Sequence, residues 1–150
     1  MLTTSVSNYL LNLFFARGDQ PLSVIPTSST CYLGMSTTTP TISSNGVISN
    51  FTEPAPSTGY RRSRLGIRGN EATYIMDEAS KGEIKNGHNF IFFDEATAGG
   101  EGFGTLTHLG LFSTETGGNP VLVGALTTPV TVAAGNVLIF RPDNLKVSME

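Results

Sequence analysis

The chain has few of the residues that cross-linked or metal-dependent proteins need. Its 150 residues include no tryptophan, two histidines and one cysteine, Cys31. A single cysteine cannot form an intramolecular disulfide, and its apolar neighbours predict a small buried hydrophobic side chain. The composition excludes a disulfide-stabilised scaffold and favours synthesis in a reducing cytoplasm.

Charge is also scarce. Charged residues make up 14% of the chain, against about 25% in typical domains. The net charge of -3 offers no general attraction to nucleic acid, and no apolar run approaches the roughly 20 residues of a membrane span. We therefore expect neither a nucleic-acid nor a membrane partner.

Short apolar segments separated by Thr, Gly and Pro fill most of the chain, and Gly104–Glu150 shows this pattern best. Their spacing predicts about eight strands of an all-β domain. The predicted strands are Cys31–Ser36, Tyr60–Ile67, His88–Asp94, Thr105–Ser113, Val121–Leu126, Val130–Val132, Val137–Phe140 and Leu145–Ser148, and Glu71–Met76 is a further candidate. The uninterrupted Phe90–Phe93 run predicts a strand buried on both faces.

Two segments repeat a Leu-Gly-apolar pattern. It occurs at Leu33–Met35 and again at Leu109–Leu111, in each case before Ser, Thr and a turn. The repetition predicts two similar strands in one β domain, with Leu109 and Leu111 among its core residues. The other core candidates are Val121, Val123 and Leu126.

The only helical pattern lies near the start of the chain. Apolar residues recur at helical spacing between Thr4 and Arg17, and Gly18 ends the segment. We predict a mainly β, single-domain antiparallel β-sandwich of jelly-roll or immunoglobulin-like type with one N-terminal α-helix. The helix occupies 1–18 and the β-sandwich 19–150, with a long exposed loop or arm at 37–57.

The search for chemistry finds no catalytic, cofactor-binding or metal-binding residue. The glycines of Gly99–Gly104 precede a strand and lack the lysine of a phosphate-binding loop, so they are interpreted as turn residues. His88 and His108 lack ligand spacing. Asp94 and Glu95 are interpreted as solvated carboxylates rather than an acid–base pair.

The remaining features favour contact with other proteins. The arginines of Tyr60–Arg68 lack interleaved aromatics for nucleic-acid stacking, so we expect them to pair with carboxylates on neighbouring copies or on a partner. The predicted helix is too apolar for a lone surface helix. The candidate interface residues are Leu10, Leu11, Phe14, Phe15, Phe51, Arg61, Arg62 and Arg64.

The order of several motifs resembles a family of small virion structural proteins of tailed bacteriophages, often labelled tail fibre proteins and similar to decoration proteins. The motifs are Leu33–Pro40, Thr-Glu-Pro at Thr52–Pro54 followed by Gly-Tyr-x-Arg at Gly59–Arg62, Gly104–Leu109, and Gly124–Thr128. The chain departs from the family at Phe103, where tryptophan is common, and carries no recognisable motif from Ile67 to Gly87.

The resemblance implies a non-enzymatic accessory protein that is made in the host bacterial cytoplasm and localises to the virion. It would attach to capsid or tail proteins for decoration, assembly or stabilisation, without a cofactor. We expect a homo-oligomer, with a trimer as the candidate order. The alternative is a receptor-binding or tail-fibre adhesion module that contacts the host surface.

Overall fold

The computed structural model describes Leu11 and residues 30–44, 46–67 and 70–148. The strands in this part of the chain are β1 (Thr30–Ser36), β2 (Thr41–Ile42), β3 (Ile48–Ser49), β4 (Ser63–Ile67), β5 (Glu83–Lys85), β6 (Ile91–Phe92), β7 (Gly104–Phe112), β8 (Leu122–Val132), β9 (Ile139–Phe140) and β10 (Lys146–Ser148). Pro56–Thr58 and Glu71–Thr73 form short 3-10 helical turns. None of the described helical segments is long and apolar enough to cross a membrane.

The predicted mainly β class is confirmed, and the antiparallel pairing of the strands fits a β-sandwich. The helix predicted over 1–18 lies outside the described residues apart from Leu11, which is helical and buried. The single domain predicted over 19–150 stays a prediction.

The described residues belong to two compact units. The first contains Leu11 and residues 30–31, 64–67, 70–91 and 139–148, and the second contains residues 32–44, 46–63 and 92–138. The buried apolar side chains of the second unit are Leu33, Met35, Tyr60, Phe93, Ala96, Phe103, Leu106, Leu109, Leu111, Phe112, Val132 and Leu138. Those of the first are Leu11, Cys31, Leu65, Met76, Ala79, Ile84, Ile91 and Leu145.

In the second unit, the two Leu-Gly-apolar segments pair with each other. Strands β1 and β7 are antiparallel neighbours in which Leu33 lies opposite Leu111, and Gly34 lies opposite Gly110. Strand β8 pairs with the other side of β7. The sequence repeat therefore corresponds to a direct pairing of two similar strands.

The two faces of this strand pair carry different residues, because side chains alternate along a strand and directly opposed residues share a face. One face carries the aliphatic core: Leu33, Met35, Leu109 and Leu111 are all buried. The other face carries Tyr32, Gly34, Ser36, His108, Gly110 and Phe112. This second face supports the candidate site.

Several sequence predictions need correction. The run from Phe90 to Phe93 is not buried on both faces: Ile91 and Phe93 are buried, whereas Phe90 and Phe92 are 47% and 58% exposed. An alternating strand with one solvated face produces this pattern. Glu71–Thr73 forms a 3-10 turn instead of the start of a strand.

Strand β8 also differs from its prediction. It is one strand instead of two, and its register against β7 shifts between Leu106 and His108, where β8 accommodates extra residues. Among the predicted core residues, Leu109 and Leu111 are buried as predicted. Val123 and Leu126 are half-buried and Val121 is 53% exposed, since much of β8 faces solvent.

The segment between β1 and Glu53 forms a hairpin arm, defined as the described part of residues 37–52, with β2 paired to β3. Hydrogen bonds fix its base. The buried Ser36 Oγ accepts bonds from the Thr38 and Thr52 backbone N–H groups. Asn50, in a left-handed conformation with φ 60°, donates from Nδ2 to the Thr39 carbonyl. The arm is thus firmly held where it leaves the sheet.

In the first unit, β5 pairs with β10, and the side-chain amide of Asn86, the residue after β5, is buried. The Asn86 side chain is fully buried, accepts a bond from Leu145 N–H, and donates to the carbonyls of Asn89 and Arg141. At the surface Lys85 contacts Asp143 at 2.7 Å, which raises the pKa of Lys85 and lowers that of Asp143. Because its amide is fully bonded, Asn86 serves to fix the turn before β10.

Cys31 is 3% exposed, as its sequence context predicts. Burial raises the pKa of its thiol to about 12 from 9.0. The thiolate is the nucleophile that attacks thiol reagents, so the folded chain should react with them slowly.

We expect the single thiol to react negligibly with Ellman's reagent at pH 8 in native buffer and completely in denaturant. Both burial and the raised pKa disfavour the accessible thiolate in the folded state. Absorbance at fixed intervals after mixing measures the reaction. Rapid reaction of the native protein would contradict this placement of Cys31.

Candidate functional site

The second unit contains a buried ion pair. Arg62 Nε donates to Glu53 Oε1 at 2.9 Å and Arg62 Nη2 donates to Glu53 Oε2 at 2.7 Å, which is a two-pronged geometry. The Arg62 side chain is 3% exposed and that of Glu53 is 24% exposed. Bidentate charge-assisted bonds of this kind are strong and directional, so this pair fixes the relative positions of the two segments that carry it.

Arg62 also bonds to a third segment. Its Nη1 donates at 2.8 Å to the backbone carbonyls of both Thr114 and Gly117. The guanidinium carbon lies 3.3 Å from the centre of the Phe112 ring, a cation–π contact. One side chain therefore holds the loop that follows β7 against the segment that follows the hairpin arm.

Two glycines make room for this arrangement. A methyl group on Gly34 would lie 2.7 Å from Glu53 Oε1 and 2.7 Å from the Phe112 ring. One on Gly110 would lie 2.8 Å from the ring of Phe51, which packs edge-on against Phe112 at 5.4 Å. Since Gly34 and Gly110 are opposed across β1 and β7, their missing side chains leave a shallow depression in the sheet.

Tyr60 completes the group, and we call Glu53, Tyr60, Arg62 and Phe112 the Arg62 cluster. The Tyr60 hydroxyl accepts a bond from the Met35 backbone N–H at 2.7 Å and donates to Glu53 Oε1 at 3.0 Å. Burial, and then the Glu53 charge, raises the pKa of Tyr60 well above its usual range. The hydroxyl therefore stays protonated and serves as a structural donor.

A surface pocket of about 450 Å³ lies beside the Arg62 cluster. Its lining residues are Glu53, Pro54, Ala55, Pro56, Tyr60, Arg61, Arg62, Glu115, Thr116 and Gly117. One wall is the Pro-Ala-Pro segment, and the other is the loop held by Arg62 through its carbonyls. Arg62 bonds to Glu53, which directly precedes the first wall, and to two carbonyls of the second, so the protein itself holds both walls in position.

The pocket is largely apolar and its formal charges balance. Two carboxylates, Glu53 and Glu115, oppose two guanidinium groups, Arg61 and Arg62. The Glu53–Arg62 pair is internally satisfied, and the exposed Arg61 lies 3.8 Å from Asp94. Such a pocket suits a neutral, mainly apolar group better than an ion.

The predicted interface residues occupy different environments. Arg61 and Arg64 are exposed, Phe51 is half-buried, and Arg62 and Leu11 are buried. Arg62 and Arg64 do not share an exposed face of one strand, since β4 begins at Ser63. Leu10, Phe14 and Phe15 lie outside the described residues. Contact of these residues with another protein stays a prediction.

The other sequence candidates have simple structural positions. Gly99, Gly102 and Gly104 adopt positive φ, as expected of turn glycines. His88 lies outside the strands, is exposed, and contacts Asp77 at 3.1 Å. Asp94 and Glu95 are exposed. The described residues contain no group of three or more His, Cys, Asp or Glu side chains that could hold a metal ion.

Sequence reasoning did not identify Glu53, Tyr60 and Phe112 as a group. Glu53 belongs to the Thr-Glu-Pro motif, and Tyr60 and Arg62 belong to the Gly-Tyr-x-Arg motif. The structure brings these two motifs into contact. Their joint presence was the available signal for a buried cluster.

Comparison with known proteins supports the resemblance seen in these motifs. A family model described as "Podophage GP4 fiber I protein gp80" matches residues 1–148. No curated protein matches the chain.

The substitution Arg62→Leu should lower the free energy of unfolding by about 3 kcal/mol, because it leaves the partly buried Glu53 carboxylate without its cation. Arg61→Leu, which removes an exposed guanidinium, is the matched control and should change stability by less than about 0.5 kcal/mol. Urea denaturation measures both. Equal losses would show that the ion pair does not hold the site.

The double change Glu53→Leu with Arg62→Leu should lower the free energy of unfolding by less than the sum of the two single changes.

A second test concerns the glycine depression. Gly34→Ala should cost about 1–3 kcal/mol, because Glu53 and Phe112, which its methyl group would meet, are held by Arg62. Gly124→Ala in β8 is the control, since its methyl group would lie 3.7 Å from Leu109 in ordinary contact. Thermal unfolding compares the two, and a destabilised control alongside an unaffected Gly34→Ala would contradict the assignment.

Proposed function

The chain belongs to the podophage fiber I protein family, and from that membership we propose that it is a non-enzymatic structural protein of the phage particle that attaches through protein–protein contacts. The sequence prediction of a tailed-phage virion structural family is thereby confirmed. The proposal concerns what the chain does within the particle.

The observation that carries the proposal is the way in which the buried guanidinium group of Arg62 is bonded. Arg62 directs four hydrogen bonds to Glu53, Thr114 and Gly117. Glu53 Oε1 receives bonds from both Tyr60 and Arg62. Charged groups engaged in this way support the fold and are poorly placed to react with a substrate. The cluster therefore acts as a rigid support for the pocket and the neighbouring loop.

The surface of the second unit favours association. Ile42 and Val47 are exposed on the hairpin arm, and Val121, Val130 and Val137 are exposed elsewhere in this unit. The arm contains no charged residue. Apolar and uncharged surface of this kind is common in protein contacts, and a structural component needs several such contacts.

We expect the protein at the fibre apparatus in a few to dozens of copies per particle, because its family is that of a fibre protein. Quantitative mass spectrometry of purified particles, calibrated with the isolated protein, gives the copy number. Hundreds of copies would instead indicate capsid decoration. Antibody labelling followed by electron microscopy locates the protein independently.

A phage carrying a stop codon in this gene should form filled heads that lack the labelled fibre density, and plasmid-encoded protein should restore the density. If the mutant particles lose only the antibody label, keep the rest of the fibre and fail to adsorb to host cells, the adhesion alternative is favoured. Absence of the protein from wild-type particles would overturn the structural proposal.

A further inference from the structure

We propose that the tip of the hairpin arm of one copy binds in the pocket beside the Arg62 cluster of a second copy. This inference rests on the proposed structural function and specifies the contact that such a protein would use. It is drawn from two features of the second unit. The tip of the arm is apolar and exposed, and the arm does not fill the apolar pocket of its own chain.

The arm is suited to insertion. Ile42 and Val47 near its tip are 63% and 55% exposed, and residues 37–52 contain no charge that burial would have to desolvate. Two-stranded hairpins are only marginally stable alone in water. Here the bonds of Ser36 and Asn50 hold the base, so little conformational entropy is lost when the tip binds.

The pocket is suited to receive such a tip. Pro54, Ala55 and Pro56 line one wall, and Tyr60 adds an aromatic surface. The carboxylates and guanidinium groups cancel in formal charge, so the pocket does not need a charged occupant for neutrality. Its volume of about 450 Å³ lies within the usual range for sites that enclose small apolar groups.

The contact must be intermolecular. Neither Ile42 nor Val47 lines the pocket of its own chain. Both side chains are exposed to solvent in the single chain. Binding of one arm to a second copy leaves that copy's arm and the first copy's pocket unoccupied. Two copies that exchange arms would close as a two-fold dimer, whereas repetition of the one-way contact produces a ring or an extended array, which suits a component of a fibre.

Disulfide trapping tests the contact directly. Purified Val47→Cys and Ala55→Cys proteins are mixed and oxidised, and the products are separated on a non-reducing gel. We expect the mixture to form cross-linked dimers at least about tenfold more efficiently than a mixture of Val137→Cys and Ala55→Cys, whose exposed Val137 lies outside the arm. The buried Cys31 should contribute little background.

A second measurement uses charge. Val47→Lys should weaken self-association by about tenfold or more, as expected for loss of an anchoring residue, whereas Val137→Lys should not. Sedimentation over a concentration series gives the association constants, and circular dichroism verifies folding.

The inference is overturned by cross-linking no better than the Val137→Cys control, by equally efficient cross-linking of Val47→Cys alone, or by unchanged association of Val47→Lys. If the protein is found in the fibre but the cross-link fails, the proposed function stands and this contact does not.

Discussion

A buried guanidinium group loses its hydration and must obtain a full set of partners from the protein, and Arg62 obtains them from two segments, one that contains Glu53 and one that runs from Phe112 to Gly117. Glu53 supplies two oxygens, the loop after β7 supplies two carbonyls, and Phe112 supplies an aromatic face. Glu53 is only nine positions from Arg62, but the carbonyls of Thr114 and Gly117 are 52 and 55 positions away, so the full set of partners is complete only when β7 and the loop after it are correctly placed. The ion pair thus makes formation of the pocket conditional on the correct fold, more than it adds stability.

This arrangement also depends on the absence of side chains at Gly34 and Gly110. The face of β1 and β7 that supports the cluster has hydrogen atoms where Gly34 and Gly110 would otherwise carry side chains. On the opposite face, the same strands carry leucine and methionine into the core. In the Leu-Gly-apolar pattern, the apolar residues therefore fill the core on one face of the strands, and the glycine leaves space for the Arg62 cluster on the other face.

Sequence reasoning was most successful where periodicity and local chemistry decide the outcome. It identified the mainly β class, the burial of Cys31 and the similarity of the two strands that contain Gly34 and Gly110. It failed where distant residues decide. The burial of Arg62 depends on Phe112, fifty positions later in the chain. The Gly-Tyr-x-Arg motif singles out Arg62 from Arg61, but the motif alone does not show that the Arg62 side chain is buried. The Phe90–Phe93 run misled because hydrophobicity alone does not show which face of a short strand is covered.

The loop that forms one wall of the pocket is held through main-chain atoms. Arg62 bonds to the carbonyl oxygens of Thr114 and Gly117, and every residue type carries such an oxygen. The side chains of Glu115 and Thr116 take no part in this attachment, although they line the pocket. Substitution of either residue should therefore change the chemistry of the pocket's lining while the bonds that hold the wall in place stay the same.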